Sequence, residues 1–251
     1  MMDYHCWYED WFADEHYLAL YKHRSMEEAS QALDLIEMST HVLKDSAILD
    51  LACGAGRHSI GLAKRGFKNI TGIDLSPTLL TEAEKNAKAE GLAITFHKED
   101  MRSFTGKYDL IVNLFTSFGY FEHDHENEEV IIHSGKHLNR NGFFVIDFLN
   151  AELLRDTVVA HDEKILSSGE RIEQFREIRN GRVDKRIVIH SEKGSKEFHE
   201  SVRLFDLEDF KKMFVKAGLS IIEKFGDYSG APFDSGSSPR LFLVAQKDGE
   251  D

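Results

Sequence analysis

The stretch Ile48-Leu49-Asp50-Leu51-Ala52-Cys53-Gly54-Ala55-Gly56-Arg57 decides how the rest of the chain is read. An apolar run broken only by Asp50 passes into small residues and two glycines, the pattern of a strand that ends in a tight turn opening a helix. Small side chains let a ligand approach the backbone closely, and the first N–H groups of the helix lack partners within it. Working outward, short apolar runs alternate with helical stretches from Ala47 to Asn150, as consecutive βαβ units do around a parallel sheet. The expected strands are Ala47 to Leu51, Asn69 to Asp74, Ile94 to Lys98, Asp109 to Leu114 and Phe143 to Phe148. Ser76 reads as an N-cap ahead of Pro77, with Leu79, Leu80, Ala83 and Ala87 on one helical face and Gly91 past its end. Arg57 to Arg65 is a shorter helix, and Glu126 to Leu138 is another, stopped by Asn139-Arg140-Asn141-Gly142.

After Asn150 the grammar changes. Glu170 to Arg179, Arg182 to Ser191 and Lys196 to Phe205 read as strands, the first two joined by Asn180-Gly181, a strong hairpin signal. Asp206 then opens a last helix with Leu207, Phe210, Phe214 and Ala217 on one face, followed by strands Ser220 to Lys224 and Arg240 to Gln246. The expected fold class is α/β, a doubly wound, mostly parallel sheet carrying an inserted antiparallel β meander. Four segments follow: a helical, aromatic lid over 1–40, an α/β core over 41–159, the meander over 160–205, and a closing helix and strand hairpin over 206–251.

Composition narrows the function. A chain of 251 residues buries a sizeable core without staples, on the order of 70% of its unfolded surface. Its net charge of −13 opposes wide contact with phosphate backbones, so nucleic acid is disfavoured as a partner. The longest uncharged run, Leu110 to Phe121, falls well short of the roughly 20 apolar residues that span a bilayer, and Met1 to Asp14 does not resemble a secretory signal. No membrane partner and a cytoplasmic location are therefore expected. Cys6 and Cys53 suggest neither a disulfide framework nor a zinc ribbon. Among thirteen histidines, His133 with His137 and His123 with His125 share a face or loop without a third ligand, so no metal site is expected.

Carboxylates at the ends of successive strands carry the chemistry. Asp74 closes the second strand, where an acidic residue accepts both hydroxyls of a ribose, and Glu99-Asp100-Met101 closes the third at the same sheet edge. A dinucleotide fold is allowed by the Gly54-to-Asp74 spacing but disfavoured by Asp50 inside the strand and by Ser59 where a third fingerprint glycine belongs.

Through Ile48 to Phe121 the sequence resembles the class I S-adenosylmethionine-dependent methyltransferases, whose fold is Rossmann-like, with Ala52 in place of the first motif's usual glycine. The resemblance implies S-adenosyl-L-methionine as cofactor and assigns roles by position. The turn from Asp50 through Ala52, Cys53 and Gly54 to Gly56 holds the methionine part, Asp74 takes the ribose hydroxyls, and Leu75 packs on the adenine. Asp100 and the Met101 backbone read the adenine edge, while Asn113 and Leu114 face the methionine amine and sulfonium. Residues Tyr4, Trp7, Tyr8 and Trp11 are spaced as one helical face; this segment either packs on the domain or forms a lid from which Tyr17, Tyr21 or Arg24 reaches the methionine carboxylate. Arg57 competes for that carboxylate. Methyl transfer needs no obligatory base, and Tyr120 is the one weak catalytic candidate, an aromatic plug being the equal alternative. The run from Asn113 to Phe121 lacks the Pro-Pro-aromatic signature of enzymes that methylate exocyclic base amines. Arg203, Asp234 and Arg240 read as solvated charges. The expected activity is methylation of a small molecule; methylation of protein or RNA, or a binding module without catalysis, are the alternatives, and the oligomeric state stays open.

Overall fold

The computed structural model describes residues 7–21, 26–192 and 194–249. Cys6, Tyr4, Arg24 and Lys193 lie outside them. The chain forms α1 (Trp7–Ala13), α2 (Glu15–Leu20), α3 (Met26–Thr40), β1 (Ala47–Leu51), α4 (Arg57–Lys64), β2 (Asn69–Asp74), α5 (Pro77–Ala89), β3 (Thr95–Lys98) and β4 (Tyr108–Asn113). There follow α6 (Asp124–His137), β5 (Leu138–Leu149), α7 (Ala151–Thr157), β6 (His161–Ile165), β7 (Arg171–Arg179), β8 (Arg182–Ser191) and β9 (Gly194–Arg203). Helix α8 (Leu207–Lys216) and strands β10 (Leu219–Phe225) and β11 (Arg240–Lys247) close the fold.

The large sheet has the order β10-β11-β5-β4-β1-β2-β3. Strands β3, β2, β1, β4 and β5 are parallel, and β11 pairs antiparallel with both β5 and β10. Alternation along each central strand feeds two cores. Leu49, Leu51 and Ile111 meet Val130 and Ile131 of α6 and Phe210 and Phe214 of α8 on one face. Ile48, Leu110 and Val112 meet Leu33 and Ile36 of α3 and Leu62 of α4 on the other. Burial on both faces explains why these strands read as continuous apolar runs. The cap expected at Ser76 is present, its hydroxyl accepting from Leu79 N at 3.2 Å.

Strands β6 to β9 make a second, four-stranded antiparallel sheet. Asn180 and Gly181 both take positive φ, 51° and 71°, as the hairpin they join requires. The expected meander had three strands; β6 is the addition, and its sequence His161-Asp162-Glu163-Lys164-Ile165 is too polar and too exposed to announce a strand. A second difference lies at Asn139 to Gly142, expected as a loop. These residues belong to β5, which begins directly at the end of α6 and absorbs the junction as a shift in its pairing with β4 between Tyr108 and Leu110.

The small sheet does not pack on the large one through a broad face. Its apolar side, Ile172, Ile187 and Ile189, forms a separate core with Trp11 of α1 and Leu20 of α2. The first two helices and the meander thus make one cap, built from two distant parts of the chain. Arg182 sews it to the core by donating to the carbonyls of Phe121 at 3.0 Å and Gly119 at 3.1 Å, and Arg203 pairs with Asp124 at 2.9 Å. At this seam Gly119 has φ +83°, and a Cβ there would stand 2.8 Å from the Arg203 carbonyl oxygen, so only glycine fits. No helix among the described residues is long and apolar enough to cross a membrane.

Candidate active site

The carboxyl edge of β1, β2 and β4 gathers the groups that the sequence pointed to. After β1 the backbone turns through Ala52 and Gly54, with φ of 55° and 56°. Gly54 tolerates this conformation and Ala52 does not do so freely, since its Cβ crowds the following carbonyl. The Cys53 N–H donates to the Ile73 carbonyl at 2.9 Å, and the Gly54 N–H donates to Asp74 Oδ2 at 2.9 Å. Asp74 also accepts from Ser76 N at 2.8 Å through Oδ1. Burial pushes the Asp74 carboxyl above its usual range, while the Ser76 and Gly54 N–H groups act in the opposite sense. Two backbone donors therefore aim a carboxylate that still has acceptor sites for a diol.

Asp50 lies 1% exposed beneath the turn and accepts from Ser59 Oγ at 2.6 Å. Burial pushes its pKa up to about 7, with the Ser59 hydrogen bonds opposing. The buried Cys53 thiol is also pushed well up, first by burial and then by the charges of Asp50 and Asp74, so it packs as a small apolar group instead of serving as a nucleophile.

A cavity of about 930 Å³ opens over this edge, and a slot of about 40 Å³ adjoins it. Ala52, Asp74, Leu75 and Met101 line the slot, together with Glu99 and the rings of Tyr8, Phe12, Tyr120 and Phe121. The large cavity has Ala52, Cys53, Gly54, Arg57 and Leu114 in its floor and Trp7, Phe12, Tyr17, Tyr21, Ser167, Glu200 and Val202 of the cap in its wall. Besides Asp50, three sequence candidates stand behind these surfaces. Gly56 packs on α5, where an added Cβ would meet Ala83 at 3.0 Å and Phe96 at 3.1 Å. Asn113, fully buried, donates from Nδ2 to the carbonyls of Leu51 at 3.2 Å and Ser117 at 3.1 Å, tying the ends of β1 and β4 together. Asp100 turns to Arg102, whose guanidinium approaches to 2.6 Å; burial raises the Asp100 pKa, but the Arg102 hydrogen bonds outweigh it and hold the carboxyl below its usual range.

The loop after β4 carries a feature that the sequence reading missed. Phe115 and Thr116 take consecutive left-handed conformations, φ 62° and 63°, a strain that persists only where surrounding contacts enforce it. Asp147 of β5 supplies them. Its Oδ2 accepts from Phe115 N at 2.9 Å and from the Tyr228 hydroxyl at 2.7 Å, and its carbonyl accepts from Thr116 N at 2.9 Å. Arg240 donates to Asp147 Oδ1 at 2.9 Å and to Thr116 Oγ1 at 2.9 Å. Arg240 is therefore no solvated charge: its side chain is 19% exposed and its partner Asp147 1%. A charged residue inside the apolar run Phe143 to Phe148 was the available signal. Arg203, half withdrawn at the seam, is likewise engaged, whereas Asp234 bonds within its own loop, to Gly236 N at 3.1 Å and Ser237 Oγ at 2.7 Å.

The aromatic candidates converge on the cavity. The Tyr120 hydroxyl donates to the Thr116 carbonyl at 2.9 Å, and its ring centroid lies 5.1 Å from that of Trp7. Arg57 lies over the Phe115 ring at 4.4 Å. Tyr21, Glu200 and Lys185 form a cluster in which Tyr21 donates to Glu200, Lys185 donates to the Tyr21 oxygen, and Lys185 pairs with Glu200 at 3.3 Å. Trp11 Nε1 completes it with a 2.6 Å hydrogen bond to Glu200. Away from the cavity, His133 and His137 bond to backbone carbonyls and His123 stacks on His125. One unforeseen group, His161, Glu163 and Glu173 on the outer face of the small sheet, brings its ligand atoms within 4.8 Å of one another, with Arg171 ion-paired to both glutamates.

A doubly wound sheet with a glycine turn and a fixed carboxylate at its carboxyl edge defines a nucleoside-cofactor-binding protein. Residues 48–142 match the family model described as a methyltransferase domain. YqeM of Bacillus subtilis (strain 168), provisionally assigned as a methyltransferase, is 31% identical over 210 residues, covering 80% of this chain and 83% of its own. The dTDP-3-amino-3,4,6-trideoxy-alpha-D-glucopyranose N,N-dimethyltransferase of Streptomyces venezuelae is 28% identical over 214 residues, covering 81% and 86%. An S-adenosylmethionine-dependent methyltransferase from Clostridium acetobutylicum ATCC 824 has the same fold, with a TM-score of 0.79, 21% identity, and coverage of 92% of this chain and 96% of that one. The chain belongs to the class I S-adenosylmethionine-dependent methyltransferases, and S-adenosylmethionine is its cofactor.

Proposed function

We propose that the enzyme methylates a small-molecule acceptor inside the large cavity, with the cap as its lid. The observation that carries this reading is the cavity itself, since about 930 Å³ lies within the span of small-molecule sites, roughly 300–1,000 Å³, and the cap walls it on the side away from the sheet. The acceptor-only oxygens of Asp74, aimed by Gly54 N and Ser76 N, suit a ribose diol. Ala52, Leu75 and Met101 offer the adenine apolar contacts at the edge of the cavity, with Glu99 beside them. The turn at Cys53 and Gly54, with Arg57 over Phe115, faces the methionine portion. Bound there, the cofactor supplies a methyl group already activated on a sulfonium. The chain's own task is then to orient the acceptor for in-line attack and to exclude water. Leu114 to Ser117, held in their strained course by Asp147 and Arg240, form the wall nearest that reaction.

Two measurements test the reading. Calorimetry with S-adenosylhomocysteine on Asp74→Ala should show binding weakened by about 1–3 kcal/mol, and the free variant should melt earlier because Gly54 N and Ser76 N lose their acceptor. Unchanged affinity would place the ribose elsewhere. Incubation with radiolabelled S-adenosylmethionine and separate small-molecule, protein and RNA fractions should label the small molecules; label confined to either macromolecular fraction would refute a small acceptor.

A further inference from the structure

The first turn of α2 is tied to the far side of the cap through one imidazole. His16 is 8% exposed and lies between two carboxylates from separate parts of the chain. Its Nδ1 meets Asp14 Oδ1 at 2.5 Å, and its Nε2 meets Glu170 Oε1 at 3.2 Å. Asp14, the N-cap of α2, also accepts from His16 N at 3.0 Å and pairs through Oδ2 with Lys196 of β9 at 3.0 Å. Glu170 ends the turn between β6 and β7, where it accepts from Ser168 Oγ at 2.8 Å. Among the described residues, the charged groups facing the ring are thus Asp14 from the start of its own helix, Glu170 from the turn, and Lys196 from β9 behind Asp14. The link spans a seam of the cavity. Tyr17, Leu18 and Ala19 follow His16 on α2, Ser167 stands just before Glu170 on the turn, and all four line the wall. Ser167, Ser168 and Gly169 are exposed, so the turn is held at its two ends, by Leu166 against the cap core and by Glu170 against His16.

A carboxylate oxygen only accepts, so both ring nitrogens must donate, whereas a neutral imidazole carries a single N–H. The imidazolium alone satisfies both sides. Once a proton leaves, Asp14 keeps the remaining N–H at Nδ1, since its carboxylate is fixed by the His16 amide and by Lys196, and the Nε2 lone pair is left against Glu170. We propose that His16 is a pH-operated latch, which clasps the turn between β6 and β7 to α2 while protonated and releases that turn, with its edge of the cavity, when the proton is lost. The latch governs entry to the cavity whichever acceptor uses it, small molecule or macromolecule. Burial disfavours the charged ring, but the hydrogen bonds to Asp14 and Glu170 outweigh it and raise the His16 pKa above its ordinary 6.5. The latch therefore holds fully below 6.5 and is lost as pH rises through the higher folded-state value.

The test is residue-resolved NMR on the full chain, following the His16 ring from about pH 6 to about pH 9 beside the heteronuclear NOEs of the Ser167, Ser168 and Gly169 amides. His16 should titrate above 6.5, and the NOEs should fall with the same midpoint as the turn loosens. S-adenosylhomocysteine should leave its complex roughly three- to tenfold faster at the alkaline end, as loss of one partly screened, charged hydrogen bond allows. Glu170→Gln suits either protonation state, because its amide accepts from the imidazolium or donates to the neutral ring. That variant should keep the turn ordered throughout and hold the release rate within about twofold. His16→Leu, which cannot form the link, should leave the turn loose at every pH. A wild-type turn equally ordered at both ends of the range, or a His16 midpoint at or below 6.5, would overturn the latch. So would a turn in His16→Leu as ordered as that of the protonated wild type. A pH response in Glu170→Gln equal to the wild type's would remove Glu170 from the device, and a turn that loosens with no change in S-adenosylhomocysteine release would overturn its control of the cavity.

Discussion

The core sheet and the cap sheet are built to opposite standards of burial. In β1 every residue after Ala47 is buried, and β4 is buried from Leu110 to Asn113. In β9 Ser201 alone is buried while Gly194 to Glu197 are exposed, and β6 has no buried residue at all. A strand closed in on both faces must be apolar throughout and admits few exchanges. A strand that covers one small core can vary its other face and can also carry polar clusters such as Lys185 and Glu200. The molecule thus separates a scaffold that fixes the glycine turn and Asp74 from a cap whose residues can be altered at lower cost to the fold.

The largest effect is expected from removing the buried ion pair between Arg240 and Asp147 in the core. Arg240→Met takes the cation away from buried Asp147 under the strained loop, and should cost about 3–5 kcal/mol, read as a fall in the urea midpoint. A loss no larger than that of a surface pair would show that the loop holds its course without Arg240. In the cap, Ile187→Ala opens a hole against Trp11 and Leu20 and should cost about 2–5 kcal/mol locally. Hydrogen exchange should rise in α1, α2 and β6 to β9 while β1 and β4 keep their protection; equal loss everywhere would mean that cap and core unfold as one.

The folded-state pKa of Asp50 is raised to about 7 from an ordinary 3.8, so the protonated form favours folding below 3.8 and that advantage drains away as pH rises to 7. Asp50→Asn, neutral throughout, should exceed the wild type in stability at pH 8 by about 2–4 kcal/mol and match it near pH 4. Melting curves across that range check the sign, and a variant less stable at pH 8 would contradict it. The smallest effect is expected from Ala52→Gly. It relieves a left-handed alanine, worth roughly 1–2 kcal/mol, but frees the unfolded chain by nearly as much, so the melting temperature should rise by little.

The same contrast explains what could be read from the sequence. Short apolar runs marked β1, β2 and β4, and the turn at Gly54 and the carboxylate of Asp74 marked the ends of the first two, because two-sided burial leaves a strong local record. Strand β6 left none, since its pairing with β7 holds it and its side chains face water. The placement of Asp74, Leu75 and Met101 at one slot follows from strand order alone. What Asp100 and Arg240 do depends on partners: Asp100 on a neighbour two positions away that could point anywhere, and Arg240 on Asp147, 93 positions distant. Glu200 escaped notice for a like reason, because the Trp11 and Tyr21 groups that donate to it lie 189 and 179 positions earlier.

That distance has a consequence during synthesis. Trp11, with no exposed surface in the folded protein, finds the carboxylate that accepts its indole N–H 189 positions later. At about 5–20 residues per second, roughly ten to forty seconds pass between the emergence of the two. Through that interval the first two helices present tryptophan and tyrosine faces with no sheet to receive them. The nascent chain therefore carries an adhesive aromatic segment while the sheet that will bury it is still being made.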